Sequence, residues 1–282
     1  MDTTVDIYDP DFFVDERFND VLAELRATDP VHWQDMPNEP GYWAVLKHAD
    51  VTHVARHPEL VGEGYDPAAN NHMVEYAMAL AAERRTQPPR EDLTSLILAG
   101  NFGGGAMSDV QFGTFFNQLV VAGNDTTKGM LSAGVNALID HPDQMDALRR
   151  DSSLLPGAVE EVLRYVPPLH YFRRTATVDT ELHGKQIKAG DKVAMWYTSA
   201  NRDEDVFVDA NRFDIRRSPN PHLSFGIAQH FCLGVHLARL EGRVFFEELL
   251  AMFPTIERTG EPRRIRSNLN NGLKALPLSL VR

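Results

Sequence analysis

The sequence carries a single cysteine, Cys232, inside the stretch FGIAQHFCLG, with His230 two residues before it and Gly234 two residues after. Leu233, Leu237, Leu240, Val244 and Leu249 follow with helical spacing until Pro254, so the sulfur stands just ahead of a helix. Amide protons exposed at that end of a helix favour thiolate over thiol. Three chemistries use such a sulfur. A nucleophile needs a base and a third group to orient the base, and apart from His230 the loop resembles no triad. A structural zinc site asks for more soft ligands than one cysteine provides. A haem iron asks for one axial thiolate, which fits a lone cysteine. Phe225-Gly226 and Gly234 bracket the sulfur with residues that permit a tight loop and close approach of the backbone to a flat partner.

Two other clusters carry chemistry. Ala122-Gly123-Asn124-Asp125-Thr126-Thr127 places an acid and two hydroxyls in the middle of an otherwise apolar pattern. A Thr hydroxyl bonding back to the carbonyl four residues earlier, here Ala122, bends a helix and opens a gap beside Gly123 that suits a small ligand. A polar stripe reaching solvent accounts for the same residues. Glu161 and Arg164, three apart, meet on one helix face, a spacing that chance supplies about once in a chain of this size.

The elements that must position these groups are legible. Ser108-Asp-Val-Gln is a capping box, and the pattern behind it runs without proline to His141, where Pro142 stops it. The first half of this helix, VQFGTFFNQLVVAG, is apolar on nearly all sides and reads as buried. PGAVEEVLRYVPP is a shorter helix ended by two prolines and carries Glu161 and Arg164. From Thr175 to Tyr197 the pattern alternates like strands, with HGK and AGD as turns. Near the amino terminus VHW and GYWAVL read as a hairpin, AELRAT and HADVTHVARH as helices, VGEGYDPAANN as a loop, and EYAMALAAERR as a helix.

A chain of 282 residues with 43% apolar content and one cysteine can bury a substantial core without disulfides, which points to a reducing, cytoplasmic location. The acidic amino terminus lacks the order of a secretory signal, and no run reaches the about 18 apolar residues of a membrane span. A formal net charge of -12 argues against nucleic acid as a partner.

Phe225-Gly226-x-x-x-His230-x-Cys232-x-Gly234 resembles the haem-binding loop of the cytochrome P-450 monooxygenases, a pattern expected by chance at on the order of one start position in a million. Ala122-Gly123-x-Asp125-Thr126 resembles the oxygen-activation groove of that family, and Glu161-x-x-Arg164 its structural ion pair. The resemblance implies haem b with Cys232 as axial ligand, Asp125 and Thr126 managing protons, and Arg174 and His230 holding the two haem propionates. It makes Arg212, in ANRFD, the third member of the ion-pair network. It further implies O2, a lipophilic substrate (a sterol, terpene or branched lipid) and a ferredoxin-type electron donor. Leu119, Val120, Leu169 and Phe172 would line the substrate pocket. Arg212, Arg216, Arg217, His222, Arg239 and Arg243 cluster in sequence around the cysteine loop, where a redox partner would dock.

Two departures accompany the resemblance. Ala228 stands where the motif usually has a second glycine. Between about residues 60 and 70 the chain lacks the family's substrate-lid helices and its Trp-x-x-x-Arg propionate contact: Trp43 is followed by Lys47 in the hairpin, and Trp33 and Trp196 have no basic residue at that spacing. The expected fold is therefore a mainly α (α+β) haem-thiolate domain over residues 1–282 without much of its lid. The alternative to a working monooxygenase is an internally deleted, catalytically impaired or non-catalytic haem-binding remnant, with self-association over the exposed lid face.

Overall fold

The computed structural model describes residues 5–57, 61–62, 71–101 and 104–282, so most of the segment between about 60 and 70 lies outside the described residues. In chain order the elements are α1 Phe18–Thr28, β1 Val31–Gln34, β2 Tyr42–Val45, α2 His48–Arg56, β3 Val61–Gly62, α3 Asn71–Arg85, α4 Leu93–Ala99, α5 Asp109–Asp140, α6 Pro142–Arg150 and α7 Leu155–Tyr165. There follow β4 Tyr171–Ala176, β5 Thr180–Leu182, β6 Lys185–Ile187, β7 Lys192–Trp196, α8 Tyr197–Ala200, α9 Val235–Met252, β8 Thr255–Arg258, β9 Arg263–Arg264, β10 Leu273–Ala275 and β11 Leu278–Val281. The chain divides into two compact units, one of residues Met1–Gly64 with Thr126–Arg282 and one of Tyr65–Asp125. No described helix is long and apolar enough to cross a membrane.

In the first unit a five-stranded sheet has the order β1-β2-β7-β4-β3. The hairpin pairs antiparallel with Val31 opposite Val45, and β2 then joins β7 in parallel, Trp43 opposite Val193. β4 pairs antiparallel with β7, placing Arg174 opposite Val193. The first two residues of VGEGYDPAANN, expected as loop, form β3 against β4 at Thr175 and Ala176. The strand period expected from Thr175 begins four residues earlier, at Tyr171.

The helical core joins the carboxyl half of α5 to α6, α7 and α9 through Met130, Val135, Leu138, Leu148, Val159, Val162, Phe246 and Leu250. Gly134 sets the spacing: a Cβ there would lie 2.5 Å from the Phe246 ring and 2.9 Å from Val162. Only a bare backbone lets α5 approach α7 and α9 this closely. The face of α9 that faces this core is Val235, Gly242, Phe246 and Leu250. Of the residues whose spacing predicts the helix, Leu249 packs against this core, while Leu237, Leu240 and Val244 on α9 and Leu233 just ahead of it are exposed at 59%, 47%, 48% and 75%. α9 is thus apolar on two sides, and one of them has cover.

In the second unit the Ser108 capping box forms as expected: Ser108 N donates to Gln111 Oε1 at 2.8 Å, and Gln111 N to Ser108 Oγ at 3.2 Å. α3, α4 and the start of α5 pack around Ala77, Ala81, Leu98 and Phe112. The amino half of α5, expected to be buried, has Val110, Val120 and Val121 exposed at 57%, 40% and 48%. Apolar residues all round a helix record what it is able to pack against, and here part of that surface faces water.

Candidate cofactor site

The cysteine loop is closed on itself. Cys232 N donates to Phe225 O at 2.9 Å, and Gly226 N to Leu223 O at 2.8 Å. A single 3-10 turn, Ala228–His230, fills the interval, with Phe231 N donating to Ala228 O at 3.1 Å. Gly226 has φ +66°, the left-handed region in which glycine carries no Cβ penalty. Ala228 has φ +62°. The usual second glycine of this motif is therefore replaced at a position where the backbone is left-handed, and the methyl group is held there at a cost of about 1 to 2 kcal/mol. Cys232 is a half-buried free thiol, and a Cβ on Gly234 would stand 4.0 Å from its Sγ.

The stem of the loop is bolted to α7 and α9. Arg239 on α9 makes a two-pronged contact with Glu160 on α7, Nε to Oε1 at 2.7 Å and Nη2 to Oε2 at 2.8 Å. Its guanidinium also lies 5.1 Å from the centre of the Phe225 ring. His222 Nε2 lies 3.1 Å from Glu160 Oε2, and its Nδ1 lies 3.3 Å from Ser224 N. Burial alone raises the Glu160 carboxyl, but the hydrogen bonds and charges of His222 and Arg239 outweigh it and hold the pKa at about 2. Asn201 completes the stem: its Oδ1 accepts from Leu223 N at 2.7 Å and its Nδ2 donates to Ser224 Oγ at 2.9 Å. Sequence reasoning missed Glu160 and Asn201, and it placed His222 and Arg239 in a docking patch instead.

At the next residue of α7, Glu161 forms the expected pair with Arg164, both fully buried, with Nη2 to Oε1 and Nε to Oε2 each at 2.8 Å. Glu161 also accepts from Asp214 N at 2.8 Å and Asn220 Nδ2 at 3.1 Å. The second guanidinium on Glu161, which makes the third side chain of the network, belongs to Arg217, whose Nε lies 3.1 Å from Oε2. Arg212, expected in that role, takes part through its main-chain oxygen, which accepts from Arg164 Nη2 at 3.0 Å and Arg217 Nη2 at 2.9 Å. The chain turns at Asp209, φ +50°, and that turn aims the Arg212 carbonyl inward and leaves its side chain exposed. Of the six basic residues around the loop, Arg212, Arg216 and Arg243 are exposed, while Arg217, His222 and Arg239 are spent on Glu161 and Glu160.

The first unit also holds other expected residues. Arg174 is 6% exposed in β4, and its Nη1 donates to Arg173 O at 3.0 Å. Phe172, 44% exposed, has its ring 6.0 Å from that of Tyr197. Tyr197 in turn reaches the loop, since a Cβ on Gly226 would lie 3.6 Å from its hydroxyl. Leu169 is half-buried and bridges to Asn270, His230 is exposed on the 3-10 turn, and Thr126 is half-buried. In the second unit, on α5, Leu119 is half-buried and Val120, Ala122, Gly123 and Asp125 are exposed. The polar residues there reach solvent, and Gly123 has nothing within 4 Å of a would-be Cβ.

These features fit a haem. The donor set is one sulfur on a loop that a bare Gly226 keeps open, and a buried guanidinium in the same unit suits a carboxylate of the porphyrin.

Comparison with known proteins agrees. The family model Cytochrome P450 matches residues 68–280. The chain is 47% identical over 206 residues to the methyl-branched lipid omega-hydroxylase of Mycobacterium tuberculosis, covering 72% of this chain and 48% of that one. It is 41% identical over 211 residues to the steroid C26-monooxygenase of Rhodococcus jostii, covering 74% and 44%. The solved cytochrome P450 of Mycobacterium marinum in complex with pseudoionone matches with a TM-score of 0.85 at 29% identity, over 98% of both chains. The chain spans about half the length of the curated relatives it matches. With a family model that matches residues 68–280, most of its length, the chain belongs to the cytochrome P450 family.

Proposed function

We propose that this chain holds haem b through an axial thiolate from Cys232 and serves hydroxylation of a lipophilic small molecule, with O2 and electrons from a ferredoxin-type donor. The observation that carries the reading is the closed loop ahead of α9, with Cys232 N on Phe225 O and the stem fixed by Glu160 and Arg239. Bound there, a haem supplies O2 activation, which a thiolate ligand favours by pushing electron density toward O–O cleavage. Cys232 supplies the ligand, Arg174 and His230 the propionate contacts, and Phe225 and Gly234 the walls of the loop. By the resemblance, Asp125 and Thr126 manage protons beside Ala122 and Gly123, and Leu119, Val120, Leu169 and Phe172 contact the substrate. The names of the two relatives, a branched-lipid hydroxylase and a steroid monooxygenase, support the lipophilic class. A missing lid would leave apolar surface without cover, and self-association over that lid face follows, since monomers seldom leave contiguous apolar surface exposed.

The test is the ferrous–CO absorption spectrum. A strongly red-shifted Soret band is expected, and Cys232→Ala removes it. An unshifted band in fresh wild-type protein overturns the assignment.

A further inference from the structure

His170, directly before β4, is fully buried in a cage of rings: Phe13 at 4.4 Å between centroids, Phe18 at 5.3 Å and Trp196 at 6.3 Å. Its Nδ1 lies 2.9 Å from Thr198 Oγ1, and its Nε2 has no hydrogen-bond partner among the described residues. An imidazolium carries N–H on both nitrogens, and here the second would have no acceptor. The charged group that acts on the ring is another cation, Arg264 on β9, which in turn feels the carboxylates of Glu16 and Asp15. The amino-terminal segment, β7 and α8 offer the ring Phe13, Phe18, Trp196 and Thr198, none of which carries charge. Burial, with that guanidinium added, holds the imidazole well below its ordinary 6.5.

The same residue joins three stretches of chain. Its amide donates to Leu269 O at 2.8 Å, and its carbonyl accepts from Thr198 N at 3.3 Å. Beside it Asn271 N donates to Pro168 O at 2.9 Å. Leu269 and Asn271 lie in the loop between β9 and β10, and further ties hold that hairpin to the amino-terminal segment: Arg264 Nε to Phe13 O at 3.1 Å, Arg266 Nη2 to Asp11 Oδ2 at 3.0 Å and Asn268 Nδ2 to Tyr8 O at 2.7 Å. The loop also rests on α5, since a Cβ on Gly129 would lie 3.9 Å from Asn271 O. Phe13, Phe18 and Trp196 belong to a different apolar cluster from the core of α5, α6, α7 and α9.

We propose that His170 is an acid-sensitive latch for the β9–β10 hairpin: a proton taken up by the imidazole breaks the ring cage and frees the hairpin loop from residues 168–170, while the helical core stays folded. Once released, the imidazole titrates near its ordinary 6.5, so the latch is at full strength above that pH and weakens as pH falls below it, by about tenfold in the opening equilibrium per pH unit. None of its residues belongs to the cysteine loop. Opening uncovers α5 at Gly129, three residues beyond Thr126, so on the haem-thiolate reading acid bares the helix beside the oxygen groove.

Hydrogen–deuterium exchange of the full chain, read by mass spectrometry at about pH 7.5 and about pH 5.5 with times scaled to the intrinsic amide rate, tests the latch. In the wild type, peptides spanning 263–275 should exchange about tenfold faster on the scaled clock at the lower pH, and peptides of α7 should not change. His170→Gln and His170→Phe place side chains that do not titrate in the cage, and in each the 263–275 peptides should exchange equally at both pH values. Equal exchange at both pH values in the wild type, a pH response that persists in the two variants, or a loss of protection in α7 that keeps step with the hairpin each overturns the proposal. Exchange is measured without reference to haem, so a failed ferrous–CO test leaves this result standing and the two readings fail separately.

Discussion

Arg217 and Glu161 are bonded side chain to side chain, Nε to Oε2 at 3.1 Å, and the same Arg217 guanidinium joins Arg164 in donating to the Arg212 carbonyl. Glu161 is fully buried and takes two guanidinium groups, a main-chain amide and an asparagine. The segment from Asp209 to Asn220 is thereby tied to α7 by one carboxylate. The ordered approach of the chain to the cysteine loop depends on that tie.

Removing Arg217 should accordingly cost more than removing Arg212. Arg217→Ala leaves part of a buried carboxylate without its partner and is expected to lower stability by about 1 to 3 kcal/mol. Arg212→Ala keeps the carbonyl that matters and should stay within about 0.5 kcal/mol of wild type. Urea unfolding of the two variants checks the order, and a larger loss for Arg212→Ala would reverse the assignment.

Glu160 makes stability depend on acid. Its carboxyl is held at about 2 in the folded chain against an ordinary 4.5, so the folded state binds the proton less readily than the unfolded one. Its contribution is full above about pH 4.5 and is lost as pH falls toward about 2. Glu160→Gln should be less stable than wild type at neutral pH, with the difference shrinking through that window. A difference independent of pH would remove the His222–Arg239 clamp from the account.

At Ala228 the prediction has the opposite sign. Glycine carries no penalty at φ +62°, so Ala228→Gly relieves strain, partly offset by the freedom glycine gains in the unfolded chain, for a net gain of about 0.5 to 1 kcal/mol. A β-branched residue, as in Ala228→Val, should lower stability and haem retention together. Thermal unfolding and haem content report both effects.

Thr126 bears on coupling. Thr126→Ala should retain haem and continue to consume reductant, while releasing peroxide in place of hydroxylated product. Measuring peroxide against product tests this, and unchanged coupling would leave Thr126 a helix residue only.

Electron delivery offers a charge test that the ion pairs make cleaner. Arg216 and Arg243 are exposed, whereas reversing Arg217 would break the bond to Glu161 as well as the surface charge. If an acidic ferredoxin docks beside the loop, Arg216→Glu with Arg243→Glu should slow reduction. Added salt should slow the wild type, since exposed charges are screened over about 8 Å at physiological ionic strength. A rate indifferent to both would place docking elsewhere.

What was legible in the sequence was local. The Ser108–Gln111 capping box, the hairpin and the cysteine loop each depend on residues a few positions apart, and each is present. Pro142 was read as the end of a helix; it is also the first residue of α6, where proline's missing amide costs nothing, and that signal was available. The two- to four-residue strands β8 to β11 have too few positions to show a period. Glu160 and Arg239 are 79 residues apart, and no spacing rule connects them. The exposed stripe on α9 shows the limit of hydrophobic patterning: it reports which faces can be buried, and leaves open whether a neighbour is there.

The parallel pairing of β2 with β7 has a consequence for how the chain is made. Trp43 must wait for Val193, about 150 residues further along, before its strand has a second neighbour. At a synthesis rate of about 5 to 20 residues per second, the β1–β2 hairpin leaves the ribosome about 8 to 30 seconds ahead of that partner. Through this interval one edge of β2 presents unpaired amides and carbonyls beside aromatic side chains, the condition in which strands pair with the wrong chain. Long-range closure of this kind also slows folding from the unfolded state. Yield in a cell should therefore follow translation speed and chaperone supply more closely than it follows the equilibrium stability of the finished sheet.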